Sequence, residues 1–438
     1  MKFLFVQKSG LPWHGIMSLA ATLKDKSVDV DLILTDEEKR PLEYIKKFGP
    51  DFVGFPVITG EHAWIQPFAE EIKERLPKVK IVMGGPHATF YPETLSNKAW
   101  IIRGEAELLL ADLLNHDGEP HTVGPADLLN DLDVLPAPDR SIYYKYSHLA
   151  KATTKQFLTG RGCPYNCSFC CNHLLRKMYK GHSWVRRRSP ENVMREMMQV
   201  QYLYGFKTAS FSDDVFTLNT KWLEEFLDYY RAELGLPFLC NTRYEQVNEE
   251  MLEILKNAGC YGLEMGVESG SEFIRREILT KGKGTNEQIT NAGRLIKKFG
   301  LRLKTYNMIG LPHETLRDAF KTIELNTKMK PDFAACSFLI PYPRYKIAEY
   351  FDTTKLPNSI YKPLDGTSKE IINLQTFFFI ATKFPRLTPI IKLLIRLPPN
   401  KLFRLLASVF YGLFMSKVHR LTLRDMWRYA RHIDPFRI

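Results

Sequence analysis

Four of the seven cysteines lie close together, between Cys163 and Cys171 in the segment TGRGCPYNCSFCCNH. Cys163, Cys167 and Cys170 form a C-x3-C-x2-C pattern directly after a predicted strand. Three thiolates on one short loop can bind three irons of a [4Fe–4S] cubane, which leaves the fourth iron open to a small chelator. A zinc site is the alternative, with Cys171 or His173 as its fourth ligand.

The cysteine count and the N-terminus both indicate a reducing compartment. Seven is an odd number, and the cysteines are unevenly spaced, whereas a secreted disulfide framework is even and spread out. The first residues, MKFLFVQKSG, have only a short apolar run before Lys8 and no small-residue cleavage site, so we do not expect a secretory signal. We therefore expect a cytoplasmic protein whose clustered cysteines bind metal.

Length and composition are those of a globular protein with two or three domains. The chain has 438 residues, of which 45% are hydrophobic and 25% charged, and this balance excludes disordered and fibrous classes. The formal net charge is +12. Residues 371–438 contain twelve lysines and arginines but only two acidic residues, Asp425 and Asp434, so nearly all the excess positive charge lies in this segment.

Residues 1–125 alternate short apolar runs with amphipathic stretches. FLFV, VDVDLIL, FVGFPV, KIVMGG and WIIRG are typical of strands, and the segments between them of helices. This alternation predicts a doubly wound, Rossmann-like parallel sheet, which binds ligands at the carboxyl ends of its strands. At those ends the sequence places Gly10, Thr59, Gly60, Gly84, Gly85 and Gly104.

A second alternating series follows a Pro- and Asp-rich linker predicted at residues 126–150. Its six strands, KQFLTG, TASFS, FLCNTR, YGLEMGV, LRLKTYNMI and FAACSFL, lie within residues 151–345. Six units are too few for a closed eight-fold barrel, so we predict a partial (β/α)6 barrel of the TIM type, with catalysis at the carboxyl ends of its strands. Residues 346–438 are predicted to form a basic, aromatic, helical region.

The cysteine motif, with Phe169 just before its last cysteine, resembles that of the radical S-adenosylmethionine (SAM) superfamily. In that family SAM chelates the open iron, and one electron from the cluster cleaves it to methionine and a 5′-deoxyadenosyl radical. The resemblance implies that Cys163, Cys167 and Cys170 bind the cluster and that Phe169 lies in the cofactor site. Cys171 is expected to be a buried or spare thiol.

Two further segments resemble family motifs and imply site residues. SFSDDVFTLN places Asp213 and Asp214 near SAM or substrate, although this segment also suits an N-cap for a helix starting near Lys221. GVESGSE implies that Glu268 and Ser269 contact the ribose and methionyl parts of SAM, although GSE also suits a turn.

Two other strand segments extend the resemblance. KTYNMIGLPHET implies that the backbone near Ile309 and Gly310 binds adenine. NTRYEQVN implies that Arg243 reaches into the barrel. PYPRYKIAEY departs from the family, in which a glycine commonly follows PYP, so the substrate end stays open.

The N-terminal region is similar to the cobalamin-binding domain of one radical SAM subclass. PDFVGFPVITG, VMGGPHATFYPE and IIRGEAE carry this similarity, which with the barrel motifs spans residues 1–340. It implies a cofactor site built from Thr59, Gly84, Gly85, Gly104 and Glu105. The cobalt-ligating motif D-x-H-x-x-G is absent from QKSGLPWHGIMS, which implies cobalamin without a protein ligand; ordinary burial explains His14 equally well.

The basic C-terminal region has three interpretations. Its longest stretch without charge, Leu405 to Ser416, is shorter than the roughly 18 residues of a membrane span. Leucine, phenylalanine and basic residues with Trp427 suit a helix on an anionic membrane surface. They equally suit a helical subdomain packed on the barrel, and no motif supports a nucleic-acid partner.

The resemblance as a whole implies a cobalamin-dependent radical SAM methyltransferase acting on an unactivated carbon, or on phosphorus. Its substrate would be a small or lipid-like molecule, and its electron donor a protein such as flavodoxin or ferredoxin. Rearrangement, cyclisation or oxidation of a hydrophobic lipid or tetrapyrrole, without methyl transfer, is the alternative. A third alternative is a non-catalytic, metal-bound protein. We expect the enzyme in the cytoplasm, either free or at the inner face of the membrane.

Overall fold

The computed structural model describes residues 1–8, 11–116, 118–353 and 361–419. The predicted strand-end residue Gly10 and the tail beyond residue 419, with Trp427, lie outside these ranges. Two compact units are present. The first comprises residues 1–152, 174–192 and 199–205, and the second comprises residues 153–173, 193–198 and the chain from Phe206 onward.

The first unit contains a six-stranded parallel sheet in the order β2-β1-β3-β4-β5-β6. Its strands are β1 (Lys2–Gln7), β2 (Asp29–Leu34), β3 (Phe52–Pro56), β4 (Lys80–Gly84), β5 (Trp100–Ile102) and β6 (Thr122–Val123). Its helices are α1 (His14–Asp25), α2 (Pro41–Phe48), α3 (His62–Arg75), α4 (Pro86–Phe90), α5 (Glu107–Leu113), α6 (Ser141–Tyr144) and α7 (Ser147–Ala150). The predicted doubly wound architecture is confirmed.

Strand β1 shows why this sheet needs helices on both faces. Phe3 and Phe5 belong to one buried cluster, and Leu4 and Val6 to another. Because successive side chains of a strand point to opposite faces, a strand that is buried throughout must be covered on both. The predicted linker, residues 126–150, is part of this unit, since α6 buries Tyr143 in the same core.

The second unit contains a six-stranded parallel sheet in the order β14-β13-β12-β11-β10-β7. The strands of this part of the chain are β7 (Thr154–Phe157), β8 (Gly160–Arg161), β9 (Arg186–Arg187), β10 (Thr208–Phe211), β11 (Phe238–Thr242), β12 (Cys260–Glu268), β13 (Arg302–Ile309) and β14 (Phe333–Phe338). Each main strand pairs with the next along the chain, and β7 and β14 form the two edges. The sheet is therefore a curled half-barrel, and the prediction of a partial barrel is confirmed.

The helices of this part of the chain have clear start signals. They are α8 (Asn172–Met178), α9 (Pro190–Tyr204), α10 (Thr220–Glu233), α11 (Glu249–Asn257), α12 (Asn286–Lys298), α13 (Leu316–Met329), α14 (Lys369–Lys383), α15 (Thr388–Leu394) and α16 (Lys401–His419). Asn219 and Asn248 cap α10 and α11, and Thr285 and Thr315 form capping boxes at α12 and α13. These helices alternate with the strands, as the sequence predicts.

The described part of the C-terminal region packs on the half-barrel. Leu374 and Phe378 of α14 share a buried cluster with Ile309 of β13 and Phe333 of β14. Helices α15 and α16 add Ile391 and other apolar residues to this cluster. None of the helices in the described ranges combines the length and apolar character that crossing a bilayer requires.

Candidate functional site

The three motif cysteines lie where the sequence places them, in the loop between β8 and α8 at the carboxyl end of the half-barrel's first strand. Cys163 and Cys167 are buried, and Cys170 is half-buried. Within the described ranges, no three His, Cys, Asp or Glu side chains are grouped closely enough to hold one metal ion. Each cysteine of a cubane bonds to its own iron, so three thiols from one loop suit a cluster in their chemistry.

Hydrogen-bond donors point at the sulfur atoms. The guanidinium Nη1 of Arg243 lies 3.5 Å from Sγ of Cys167, and the amide Nδ2 of Asn172 lies 3.5 Å from Sγ of Cys170. Positive charge and N–H donors stabilise a thiolate, which is the form that binds iron. The loop is therefore suited electrostatically to cysteine ligation.

The thiols themselves differ in acidity. Burial raises the pKa of Cys163 to about 11. The hydrogen bond from the neighbouring Cys171 thiol lowers the pKa of Cys170 to about 6. The role of Cys171 as a spare thiol stays a prediction; the thiol is half-buried beside Cys170.

Arg243 connects the cysteine loop to the loop that follows β12. Its Nη2 donates to the carbonyl of Lys281 at 2.6 Å and to the carboxylate of Glu245 at 2.7 Å. Its guanidinium stacks on Tyr165, 3.6 Å from the ring centroid. Because its partners fix it at the sulfur of Cys167, Arg243 is a positioning and electrostatic residue of the cysteine loop.

Glu268 lies at the end of β12 in a buried ion pair. Its Oε1 is 2.8 Å from Nζ of Lys281, which also lies 5.9 Å from the ring centroid of Phe169. Glu268 has a φ of +66°, and the register between β12 and β13 shifts next to it. Left-handed backbone at a residue other than glycine is costly and collects at binding sites. The structure thus brings two predicted residues, Phe169 and Glu268, around a lysine that the sequence did not indicate.

Gly266 provides the space for this ion pair. A Cβ atom at Gly266 would lie 2.5 Å from both Oε1 of Glu268 and Nζ of Lys281. Such distances are far below van der Waals contact, so a side chain here would displace the pair. Gly266, the first glycine of GVESGS, therefore leaves room for the ion pair of Glu268 and Lys281.

Ser269 is fully buried in a local turn. Its Oγ accepts a hydrogen bond from the backbone N–H of Ser271 at 3.2 Å, and its carbonyl accepts one from Arg275 at 2.6 Å. These bonds form the turn that the GSE segment also suggested. The contact of Ser269 with SAM stays a prediction.

The two acidic residues after β10, Asp213 and Asp214, have different hydrogen-bond partners. Asp213 is buried and accepts hydrogen bonds from the backbone N–H and the hydroxyl of Thr159, so it joins the ends of β10 and β7. Asp214 accepts a hydrogen bond from Asn172 at 3.1 Å, beside the cysteine loop, and burial raises its pKa. Helix α10 is capped by Asn219, the last residue of the same segment, so this segment does supply the N-cap, although the acidic pair itself does not form it.

The end of β13 is occupied by a buried carboxyl group. The N–H of Gly310, whose φ is +75°, donates to Oε2 of Glu314 at 2.7 Å. Oε1 of Glu314 is buried without a partner among the described residues, and burial raises the pKa of Glu314 to about 8. Ile309 is fully buried against the outer helices. The N–H of Gly310 is therefore already satisfied, and the predicted adenine contact would fall to other backbone groups.

The concave face of the half-barrel carries a polar group that the sequence did not reveal. Lys304 of β13 lies 3.2 Å from the carboxylate of Glu264 on β12, and the Tyr306 hydroxyl donates to the same carboxylate. Thr305, between them, points the other way, to Asn326 of α13. Because side chains alternate along a strand, Lys304 and Tyr306 face the interior of the half-barrel.

In the first unit, Thr59 and Gly85 lie at the carboxyl ends of β3 and β4. Gly85 has a φ of +99°, and a Cβ there would lie 3.0 Å from the carbonyl oxygen of Val57. A Cβ at Gly84 would make ordinary contact with the carbonyl oxygen of Ile102 at 4.0 Å. Thr59 bonds to Nδ1 of His87 at 3.0 Å. The closely approaching backbone forms a cradle of the kind that doubly wound folds use for cofactors.

Gly104 and Glu105 are held by a different contact. A Cβ at Gly104 would lie 1.9 Å from the hydroxyl of Tyr179, which accepts a hydrogen bond from the N–H of Glu105. The carboxylate of Glu105 forms a bidentate pair with Arg186, which is buried. The cofactor role predicted for Glu105 stays a prediction, since its carboxylate has a protein partner. His14 is half-buried and begins α1.

Two family models match the chain. The radical SAM superfamily model matches residues 157–325, and the B12 binding domain model matches residues 5–114. An uncharacterized methyltransferase of Pyrococcus horikoshii is 31% identical over 371 residues, which are 77% of this chain and 78% of the relative. The chain belongs to the radical SAM superfamily. This radical SAM enzyme takes a [4Fe–4S] cluster, SAM and cobalamin as its cofactors, as predicted.

Other relatives place the chain within a diverse set. The anaerobic magnesium-protoporphyrin IX monomethyl ester cyclase of Rubrivivax gelatinosus is 26% identical over 72% of this chain, which spans 61% of that relative. Cytidylyl-2-hydroxyethylphosphonate methyltransferase of Streptomyces wedmorensis is 22% identical over 62% of this chain and 60% of the relative. The structure of the radical SAM methyltransferase TsrM of Kitasatospora setae matches with a TM-score of 0.64 at 20% identity, covering 79% and 74% of the two chains. That likeness confirms the fold.

Proposed function

We propose that this enzyme methylates an unactivated carbon of a small molecule, with cobalamin as the carrier of the methyl group. The observation that carries the proposal is the presence, in one chain, of the B12-binding unit and of the half-barrel with three cysteines at its mouth. The relative from Pyrococcus horikoshii, named a methyltransferase, matches 77% of this chain at 31% identity. When bound, the cluster and SAM supply the radical, and cobalamin supplies the methyl group.

The chain's own residues would hold these cofactors. Cys163, Cys167 and Cys170 would bind the cluster, and Arg243 would balance the negative charge of the thiolates from 3.5 Å away. Glu268 would accept hydrogen bonds from the ribose hydroxyls of SAM, held in place by Lys281. A carboxylate with one oxygen fixed by a lysine keeps its other oxygen directed at a ligand, which lowers the entropy lost on binding.

Nucleoside products test the proposal. Reduced, cluster-reconstituted enzyme is incubated with SAM, cobalamin and a small-molecule extract, and two products are quantified. Methyl transfer yields 5′-deoxyadenosine and S-adenosylhomocysteine in paired amounts. The C163A/C167A/C170A variant is the control for both products, and deoxyadenosine without S-adenosylhomocysteine would contradict the proposal.

The second candidate is cyclisation or oxidation without methyl transfer. It is favoured by the similarity to the cyclase of Rubrivivax gelatinosus, which covers 72% of this chain. A hydrophobic lipid or tetrapyrrole would then be the substrate. The same assay separates the candidates, because this reaction forms 5′-deoxyadenosine and methionine from SAM but no S-adenosylhomocysteine. Methylation of phosphorus is a variant of the first candidate and gives its paired products.

A flavodoxin or ferredoxin is the proposed electron donor. Each cleavage of SAM needs one electron delivered to the cluster, and small one-electron carrier proteins supply electrons of this kind. Reduction of the cluster by each purified donor, followed by absorbance under anaerobic conditions, tests this partner. A donor that reduces the cluster but supports no 5′-deoxyadenosine formation would be excluded.

An anionic membrane surface inside the cell is the proposed location for the second unit. Leu393, Leu402 and Leu405 of α15 and α16 each expose more than 60% of their surface, and Lys392 and Arg404 lie beside them in the sequence. No acidic residue occurs between Glu370 and Asp425. Exposed leucines next to basic residues suit insertion among anionic lipid headgroups.

Liposome co-sedimentation tests the membrane proposal. The L393S/L402S/L405S variant should bind vesicles with phosphatidylserine several-fold more weakly than the unchanged protein, because each leucine contributes apolar area to insertion. L108S, which alters an exposed leucine of α5, is the matched control. Equal sedimentation of the two variants would contradict the proposal.

A further inference from the structure

Two histidines stack at the carboxyl ends of neighbouring strands in the first unit. His62 is the first residue of α3, after β3, and His87 lies in α4, after β4. Their rings are parallel within 10°, with centroids 4.2 Å apart. We call this pair the histidine stack. It lies at the edge of the sheet where doubly wound folds bind their ligands, within the region matched by the B12 binding domain.

Hydrogen bonds determine which nitrogen of His87 carries the proton. Thr94 donates its hydroxyl hydrogen to the carbonyl of Tyr91 at 2.7 Å, so its oxygen accepts from Nε2 of His87 at 2.8 Å. Burial lowers the pKa of His87 to about 4, so its ring is a neutral imidazole at neutral pH. Nδ1 of this neutral ring accepts from the hydroxyl of Thr59 at 3.0 Å, and both nitrogens of His87 are used.

A hydrogen bond likewise determines which nitrogen of His62 carries the proton. Its Nδ1 accepts a hydrogen bond from the backbone N–H of Gly60 at 3.1 Å, so the proton of the neutral ring sits on Nε2. Turning the ring over would keep the stacking on His87 but lose this hydrogen bond. Since His87 uses both of its nitrogens, Nε2–H of His62 is the hydrogen-bond donor that the stack presents.

We propose that His62 binds cobalamin through Nε2–H, as a hydrogen-bond donor to an oxygen at the periphery of the cofactor, and not as a ligand of cobalt. Coordination needs a lone pair on the ligating nitrogen, and on Nε2 that position holds the proton. Cobalamin offers two kinds of oxygen acceptor, the amide carbonyls around the corrin and the phosphate of its nucleotide tail. The inference rests on the cobalamin assignment and goes beyond it by naming the residue and its mode of binding.

Titration of the full-length protein with hydroxocobalamin tests the proposal. His62→Phe keeps an aromatic ring over His87 but removes the donor, and should weaken binding about 3- to 10-fold, the usual value of one hydrogen bond. His62→Gln keeps an N–H donor and should bind within about twofold of the unchanged protein. His121→Phe, a change of a histidine outside the stack, is the matched control, and thermal melting of each variant reports folding.

Cobinamide, which lacks the nucleotide tail, separates the two acceptors. A His62→Phe effect that persists with cobinamide assigns the bond to a corrin amide, and one that disappears assigns it to the phosphate. Electron paramagnetic resonance of the cob(II)inamide complex tests whether a protein nitrogen coordinates cobalt. Because cobinamide has no nucleotide tail, nitrogen splitting of the cobalt lines could come only from the protein. Such splitting lost in His62→Phe, or equal affinity of His62→Phe and the unchanged protein, would overturn the proposal. Failure of the unchanged protein to bind either compound would instead remove the cobalamin assignment.

Discussion

The cysteine loop with its neighbours and the histidine stack use opposite electrostatic designs. In the half-barrel, buried charges beside this loop are paired, as in Glu268 with Lys281 and Arg243 with Glu245. In the first unit, burial lowers the pKa of both histidines of the stack, and His87 is hydrogen-bonded to two threonines. Paired charges suit a charged ligand such as SAM and a thiolate-bound cluster. Neutral donors suit a cofactor whose periphery carries amides. The two regions should therefore respond differently to lost charges and to pH.

The largest effect is expected from the cysteine loop. The C163A/C167A/C170A variant should lose all bound iron and all SAM cleavage, because it leaves no thiolate ligand for the cluster. Iron content and the visible absorbance of the reconstituted protein measure the loss. Cys171→Ala is the matched control and should keep its cluster. An iron–sulfur spectrum that survives in the triple variant would refute the site.

The buried ion pair of the half-barrel should show the cost of one unpaired charge. Lys281→Met leaves the carboxylate of Glu268 buried without its partner, and the second unit should lose about 3 to 5 kcal/mol of unfolding free energy. The double variant K281M/E268Q removes the stranded charge and should recover much of that loss. Urea unfolding of the three proteins measures both changes. Equal stability of single and double variants would show that the pair is not a buried one in solution.

Alkaline pH should destabilise the second unit through Glu314. Burial raises the folded-state pKa of Glu314 to about 8, above the roughly 4.3 of an unfolded chain. A folded protein that holds its proton more tightly loses stability as pH rises from about 4.3 to 8, since only the unfolded chain releases the proton. Melting temperatures between pH 5 and 9 should fall more for the unchanged protein than for Glu314→Gln. Parallel curves would contradict the assignment.

Acidic pH should destabilise the first unit through His87, with the opposite sign. Burial lowers the pKa of His87 to about 4, below the roughly 6.5 of an unfolded histidine. The contribution of His87 to the unfolding free energy is therefore fully present above about pH 6.5. It is lost as pH falls toward 4, because the unfolded chain takes up the proton first. His87→Gln should reduce this loss, measured by melting between pH 4 and 7. A variant with unchanged acid sensitivity would break the contrast between the two regions.

The smallest effect is expected from Gly266. An added Cβ would displace the side chains of Glu268 and Lys281, which are flexible at their ends, so the fold should persist. Gly266→Ala should weaken SAM binding about tenfold, a change of roughly 1.4 kcal/mol. Gly15→Ala, where nothing lies within 4 Å of the new Cβ, is the control. Unchanged SAM affinity would place Glu268 outside the cofactor site.

Much of the fold follows from local sequence. Strands such as β1 and β13 are buried runs bounded by turns, and alternation with helices leads to two parallel sheets. The position of the cysteine loop was equally predictable from the sequence, because its three cysteines lie within one short segment. The fold encoded by adjacent residues was predicted correctly, and the ligand roles of the cysteines stay a prediction.

Features formed by distant residues were not predictable. Lys281 reaches Glu268 only because Glu268 adopts a left-handed backbone, which no sequence pattern announces at a glutamate. Arg186 pairs with Glu105 across 81 positions of the chain. The histidine stack requires the loops after β3 and β4 to converge. A lysine and a histidine close in sequence to family motifs were the signals that the sequence offered.

The most direct test of methyl transfer follows the methyl group itself. The reduced enzyme is given SAM with a deuterated methyl group, cobalamin and the extract, and the small molecules are analysed by mass spectrometry. Our account predicts a product that carries the three deuterium atoms, formed together with 5′-deoxyadenosine and S-adenosylhomocysteine. If the label appeared only in methionine while 5′-deoxyadenosine accumulated, the enzyme would cleave SAM without transferring its methyl group, and the account would be wrong.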